Sequence, residues 1–229
     1  MYDNKNIKLN AEDEAYYRIK DAIRQRKILP KRKLVESTLA KIFGMSRTPV
    51  RAAIKKLEYE GFIETFPNKG AYLISPTVKE IKDTYDVRII LEKKAIVLAI
   101  ENLDDKNIQI LEKCIENESE TYSSGDYETF ENINNEFHLK IAEFSNNTIL
   151  HKYIKDIFGR INRFQLIYDY MDNVSMPVSV NTHIHILNLM KDKKIEEAEK
   201  YVELHILGAM DRLNFEEIEN NSHNDFLSI

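Results

Sequence analysis

The sequence predicts a mainly α-helical chain in two parts: three short helices with a small β-hairpin, followed by an all-α helical bundle. Three observations carry that reading. Charge is segregated, because residues 12 to 75 hold 14 Lys and Arg against 8 Asp and Glu, whereas residues 76 to 229 hold 17 against 29, within a net charge of −5. Apolar residues recur with a helical period except after Gly61, where the period shortens to that of strands. Finally, Ser75-Pro76-Thr77 punctuates the chain where the charge changes sign. The boundary is therefore placed there, giving a basic domain over residues 1–75 and an acidic helical domain over 76–229.

Composition narrows the class further. At 229 residues, 43% hydrophobic and 31% charged, the chain has enough apolar material for two cores and is not disordered. One cysteine, Cys114, cannot build a disulfide scaffold. No apolar run approaches the roughly 20 residues that span a bilayer, and the residues from Met1 to Asn6 lack a signal-peptide core. A cytoplasmic protein with no membrane partner is expected.

Taken in order, Ala15, Ile19, Ala22 and Ile23 have helical spacing within Glu14 to Arg26, and Leu29-Pro30 ends that helix. A second helix runs from about Val35 to Gly44, with Leu34, Leu39, Ala40 and Phe43 on one face. Gly44 supplies the positive φ that a sharp turn needs. The third helix opens at Arg47-Thr48-Pro49 behind Ser46 as N-cap and ends near Glu60-Gly61, with Val50, Ala53, Ile54 and Leu57 facing inward. Phe62 to Phe66 and Ala71 to Ile74 read as two strands about Pro67-Asn68-Lys69-Gly70. Three helices and a hairpin make a winged helix-turn-helix. Beyond Val78 the pattern is helical throughout, roughly over 78–102, 104–123, 127–145, 147–170, 178–191 and 195–215, with breaks at Ser123-Ser124-Gly125 and Asn146-Asn147. The polar tail, 216 to 229, carries Phe226, Leu227 and Ile229 as residues able to dock on a neighbour.

The second helix of such a module lies in the major groove of DNA, so its first residues must reach base edges and phosphates. Arg47 and Arg51 are four apart on one face, and a guanidinium fork suits the N7 and O6 acceptors of guanine. Ser46 and Thr48 suit phosphates at a helix N-terminus, and Lys55 and Lys56 extend the basic strip. At the wing, Asn68, Lys69 and Gly70 form a short turn suited to the minor groove, Gly70 removing a side chain that would block approach. Taken singly, such basic residues are usually a solvated helix face; their coincidence with the turn, cap and hairpin favours DNA.

The run Gly44-Met45-Ser46-Arg47-Thr48-Pro49-Val50-Arg51, with Val35 to Ala40 before it and Leu57-Glu58-Tyr59-Glu60-Gly61 after it, resembles the GntR family of bacterial transcription regulators over residues 15 to 75. The resemblance implies that Arg47 and Arg51 read an operator, supported by Ser46, Thr48 and Gly70. Two positions depart from the family pattern. Lys31 stands where Gly commonly follows Pro, and Ser37 stands where a DNA-contacting basic residue is frequent, a contact that is either lost or replaced by Arg32 or Lys33.

In the acidic domain, Asn134 and His138 are four apart on one helix, while His183 and His205 interrupt the apolar stripes of the last two helices. If these helices are neighbours, three imidazoles and an amide converge on one interior point, as in bundle metal sites. The pattern Asn134-Asn135-Glu136-Phe137-His138, with Asn146, His183, Ala198 and His205, resembles the FCD effector domain of the FadR-type branch of that family, and Asp86 to Glu92 resembles its opening helix. The resemblance implies a divalent metal, zinc or nickel, on His138, His183 and His205, with Asn134 in the place of an Asp ligand. An amide carries no charge, so transition-metal affinity is expected to be lower. The plainer reading is a hydrogen-bonded polar cavity without metal. His151, His185 and His223 read as surface.

Arg88, Arg160 and Arg163 are, with Arg212, the only arginines after residue 75. A guanidinium beside a metal holds a carboxylate bidentately, so Arg88, Asn134, Arg160 and Arg163 are the candidate contacts for a small organic acid; Arg88 has Glu92 four residues on as an alternative partner. The resulting expectation is a homodimeric, effector-responsive repressor on a pseudo-palindromic operator of double-stranded DNA, not an enzyme. The alternatives are a metal-dependent hydrolase, in which three His activate water, a metal-free sensor of a non-carboxylate ligand, and an architectural DNA-binding dimer without effector.

Overall fold

A computed structural model describes residues 9–124, 127–168, 176–216 and 218–219. Gly125, His223, Phe226, Leu227, Ile229 and the residues from Met1 to Asn6 lie outside the described residues. The chain divides after Thr77 into two compact units, and Asn162–Tyr168 group with the first of them.

In the first unit, α1 (Ala11–Arg24) starts three residues earlier than its apolar spacing suggests, because the side chain of Asn10 accepts from the Asp13 backbone N–H and caps it. Its buried Ala15, Ile19 and Ile23 pack on Val50, Ala53 and Leu57 of α3 (Arg47–Tyr59). Between them α2 (Glu36–Phe43) buries Leu39 and Ala40 and ends at Gly44, whose φ of 67° and ψ of 32° are left-handed. Three antiparallel strands close the unit in the order β1-β3-β2. The hairpin pairs β2 (Ile63–Phe66) with β3 (Gly70–Leu73), Ile63 opposite Leu73 and Phe66 opposite Gly70. The third strand, β1 (Lys33–Leu34), is only two residues long and pairs Lys33 with Tyr72; nothing local in the sequence marks it. At the wing, Asn68 has φ 62° and Gly70 φ 98°. A Cβ on Gly70 would come within 2.9 Å of Lys33 Cε, so the residue is small for a packing reason as well. At the far end of the third helix, Arg163 Nη1 donates to the Glu60 carbonyl at 3.0 Å.

The second unit is all-helical in the described residues: α4 (Val78–Glu101), α5 (Asp105–Ser124), α6 (Tyr127–Phe144), the first part of α7 (Thr148–Tyr168), α8 (Met176–Lys191) and α9 (Ile195–Asp211). Helix α4 packs on both α6 and α9, while α5 packs on α6 and α8, and α8 on α9. Ala95, Ala142, Leu150, Ile154 and Phe158 bring α4, α6 and α7 together. Asn147, one of the residues in the expected break, caps α7 by accepting from the Leu150 N–H. The last helix stops at Asp211 rather than 215. Among the described residues, buried polar or charged side chains on four helices of this bundle include Thr84, Arg88, Glu92, Glu118, Asn134, Asn135, His138, Ser179 and His183. Buried charge is costly unless paired, so these residues mark the centre of interest.

The turn before α3 sets the angle between the two helices of the helix-turn-helix motif. Gly44→Ala would add a Cβ into open space, leaving only the left-handed backbone as a cost. It should lower unfolding stability by about 1–2 kcal/mol, measured by urea denaturation; an unchanged midpoint would show that the turn tolerates a side chain.

Candidate nucleic-acid interface and candidate metal centre

At the start of α3 the chain enters from an extended Ser46 (φ −72°, ψ 165°), whose hydroxyl makes no cap hydrogen bond and is exposed. Arg47, Thr48, Arg51 and Lys55 are exposed with it. Both arginines are gathered by one carboxylate that sequence reading passed over. Glu36, in the first turn of α2, accepts from Arg51 Nε and Nη2 at 3.0 and 2.9 Å and from Arg47 Nη2 at 3.2 Å. The Arg51 hydrogen bonds hold the Glu36 carboxyl below its ordinary range, against a smaller opposing effect of burial. Glu36 thus pre-orients two forks side by side, and its pairs are exposed enough to open when a phosphate or base edge competes.

Lys56 does not continue the basic strip. Its ammonium turns to Asp13 at 3.1 Å and lies 4.3 Å from the centre of the Tyr16 ring, tying α3 to α1. Asn68 and Lys69 are exposed at the tip of the wing beside Gly70. Ser37 and Arg32 are exposed, whereas the stem of Lys33 lies against Gly70.

In the helical unit His138 on α6, His183 on α8 and His205 on α9 converge. Their Nε2 atoms are 3.1 Å (His138 to His205), 3.2 Å (His183 to His138) and 3.2 Å (His183 to His205) apart. The outer nitrogens are held separately: His138 Nδ1 lies 2.6 Å from Glu92 Oε2, and His183 Nδ1 lies 2.7 Å from Glu118 Oε2. The Glu118 hydrogen bond places the His183 proton on Nδ1 and leaves its Nε2 a bare lone pair, and the close Glu92 contact, though off hydrogen-bond geometry, favours the same tautomer of His138. Two lone pairs then face each other at 3.2 Å, an arrangement that repels unless something positive lies between them. Burial pushes His138 down to about 4 despite Glu92, and burial followed by the neighbouring imidazoles pushes His205 well below its ordinary value. A charged ring is therefore disfavoured, and short of a cation it is a neutral His205 that supplies its Nε2 proton to one of those lone pairs.

The donor set suits a divalent metal. Zinc–nitrogen bonds of about 2.0–2.1 Å at a tetrahedral angle place ligand nitrogens roughly 3.3 Å apart, close to the spacing found. Phe137 stacks on His183 with ring centres 4.2 Å apart, and Phe158 lies 5.7 Å from His138, so the imidazoles sit in an apolar collar that limits their rotation.

Asn134 shares the His138 face of α6, but its amide is directed to Glu118 Oε1 at 3.0 Å and Ser179 Oγ at 2.7 Å rather than to the Nε2 triangle. Arg88 is buried, bonded through Nε to Glu92 Oε1 at 2.5 Å and lying 4.5 Å above the Phe158 ring. Despite burial, the charge of Arg88 and the contacts of His138 hold Glu92 at about 2. Arg160 is exposed, and Arg163 belongs to the first unit, so neither is brought to the histidines. His185 is exposed with its ring 4.1 Å from Tyr201, and His151 is half-buried.

Glu118 and Ser179 were missed in the sequence, and Glu92 was read only as a partner for Arg88, yet a signal existed. Leu111, Cys114, Ile115 and Glu118 fall at i, i+3, i+4 and i+7 of α5, so Glu118 occupies a core position, as Glu92 does beside Ala95 and Ile96.

Residues 11–73 match the gntR family of bacterial regulatory proteins and residues 83–208 match the FCD domain. The chain is 32% identical over 186 residues to the Nta operon transcriptional regulator of Aminobacter aminovorans, across 80% of this chain and 85% of that one. It is 29% identical over 194 residues to YdhC, an uncharacterized HTH-type transcriptional regulator of Bacillus subtilis, across 83% and 85%. A solved structure described by the statement that Lar controls expression of the Listeria monocytogenes agr system superposes with a TM-score of 0.66 at 21% identity, across 89% of this chain and 96% of that one, a likeness of fold. Two matched segments in the same order as the two structural units, together with these relatives, establish that the chain belongs to the gntR family of DNA-binding transcription regulators, with an FCD domain as its helical part.

Proposed function

We propose that this regulator is a homodimeric repressor whose helical unit holds a divalent metal on His138, His183 and His205 and senses a small carboxylate there. The observation that carries the sensing part is the inward convergence of three imidazole nitrogens whose outer nitrogens rest on buried carboxylates. Three neutral ligands leave open coordination positions, and a carboxylate is a natural occupant of those on zinc or nickel. The metal would supply Lewis acidity toward that anion. Arg88, held against Glu92 and Phe158, offsets the charge of the carboxylate behind His138.

On the DNA side, Arg47 and Arg51 read base edges while Ser46, Thr48 and the wing residues Asn68, Lys69 and Gly70 position the module on the backbone. A twofold dimer presents two such modules to a pseudo-palindrome. The effector alters DNA affinity only in so far as it binds two arrangements of the protein unequally. A hydrolase is disfavoured because Glu92 and Glu118, the carboxylates nearest the imidazoles, are both engaged in holding them. Among the described residues no helix is long and apolar enough to cross a membrane.

Arg47→Ala and Arg51→Ala should each weaken operator binding by about 1–3 kcal/mol and blur discrimination, whereas Lys69→Ala should weaken all duplexes alike and reduce the salt slope by about one; fluorescence anisotropy against operator and scrambled duplexes at several salt concentrations separates these. Elemental analysis of the purified protein should find a near-stoichiometric divalent metal that His138→Ala lacks, and metal-free unaltered protein would remove the centre. With metal bound, a thermal-shift panel of small organic acids should contain at least one stabiliser that also changes operator affinity. A panel in which only uncharged ligands act would favour the non-carboxylate reading.

A further inference from the structure

Three neutral imidazoles and the Asn134 amide bring no negative charge to a divalent cation, so any anion must come from farther out. Glu118 is 1% exposed. Its Oε2 faces His183 Nδ1 at 2.7 Å, and its Oε1 accepts from Asn134 Nδ2 at 3.0 Å and from Ser179 Oγ at 3.1 Å. Its hydrogen-bond partners are an imidazole, an amide and a hydroxyl, and among the described residues no Lys or Arg pairs with it. Glu92 differs, because the Arg88 guanidinium cancels its charge at 2.5 Å.

We propose that Glu118 is the anionic positioning residue of this centre, and that Asn134 and Ser179 hold Glu118 instead of the metal. Glu118 raises the basicity of His183 through its Nδ1 proton and places a full negative charge one imidazole away from the cation. His183 is then the strongest of the three ligands. His138 is weaker because Arg88 draws on Glu92, and His205 has no carboxylate on its ring among the described residues. The Asn134 side chain, one turn before His138 on α6 and bonded to Ser179 on α8, fixes the carboxylate in register with His183. An Asp at 134 would set two carboxylates against each other within hydrogen-bond distance, which is a physical reason for an amide there.

This inference rests on metal binding at the histidines, and the experiment separates the two. Zn²⁺ affinity is measured by competition with a chromophoric chelator, and the ligand set by the visible absorption of the Co²⁺ form, for the full-length protein and for His138→Ala, Glu118→Gln and Asn134→Asp. Far-UV and near-UV circular dichroism report folding. Glu118→Gln keeps the shape and removes the charge, and should bind Zn²⁺ about 10- to 100-fold more weakly, the usual effect of losing an outer-shell partner. Asn134→Asp should bind no more tightly than the unaltered protein, with Co²⁺ bands unshifted because residue 134 is not a ligand. Tighter Zn²⁺ binding by Asn134→Asp with shifted Co²⁺ bands, or Glu118→Gln binding as tightly as the unaltered protein, overturns the assignment while leaving the metal centre standing. Failure of the unaltered protein to bind Zn²⁺, or full binding by His138→Ala, removes the centre and the inference together. If Glu118→Gln does not fold, Asn134→Asp decides alone by the same two outcomes.

Discussion

The interaction on which the helical unit depends is the pairing of buried carboxylates with imidazoles. Transferring a carboxylate out of water costs several kcal/mol even after relaxation, and here two are buried in one small bundle. Each faces an imidazole on another helix, Glu92 of α4 with His138 of α6 and Glu118 of α5 with His183 of α8, while Arg88 of α4 also offsets Glu92. Those bonds tie together four helices whose apolar surfaces alone would tolerate rotation or sliding. They also determine what the interior can do, since fixing both protons on the outer nitrogens leaves two lone pairs aimed inward beside the third imidazole. Stability of the bundle and readiness for a cation therefore come from the same contacts.

The first unit solves a related problem at its surface. Two arginines on one turn of α3 repel each other, and an unpaired guanidinium on a mobile stem loses rotamer freedom on binding DNA. Glu36 from the neighbouring helix offsets both, holding Arg47 and Arg51 extended and adjacent while leaving them exposed. If these forks read DNA as proposed, the exchange on binding would be one of acceptors, a carboxylate for a phosphate or base edge, with discrimination residing in the geometry of the forks.

How much of this was legible in the sequence follows from how local each determinant is. Helix α3, the Gly44 turn and the hairpin were readable because period, cap and turn residues act within a few positions. Strand β1 was not, because two residues become a strand only by pairing with Tyr72 and Ala71. The histidine positions were visible as polar interruptions of apolar stripes, but the direction of Asn134 was not, since spacing on a helix fixes a face and leaves the rotamer to neighbours on α5 and α8. Lys56 shows the converse error. It looks like part of a basic strip until Asp13, 43 residues earlier, draws it away. The acids Glu92 and Glu118 stood in plain sight at core positions, and their meaning depended on helices far along the chain.

Counting charge around the histidines links the metal to the kind of effector proposed. With neutral imidazoles, Arg88 and Glu92 cancel, and Glu118 leaves the buried cluster at one negative charge. A bare cluster of that kind is strained in a low-dielectric interior, and a divalent cation reverses its sign to one positive charge. A single carboxylate on the metal then returns the interior to neutrality, whereas an uncharged ligand leaves it charged and a dianion overshoots unless its second group reaches solvent or another cation. In the proposed reading, charge balance would favour first a metal and then an anion, through residues on α4 and α5.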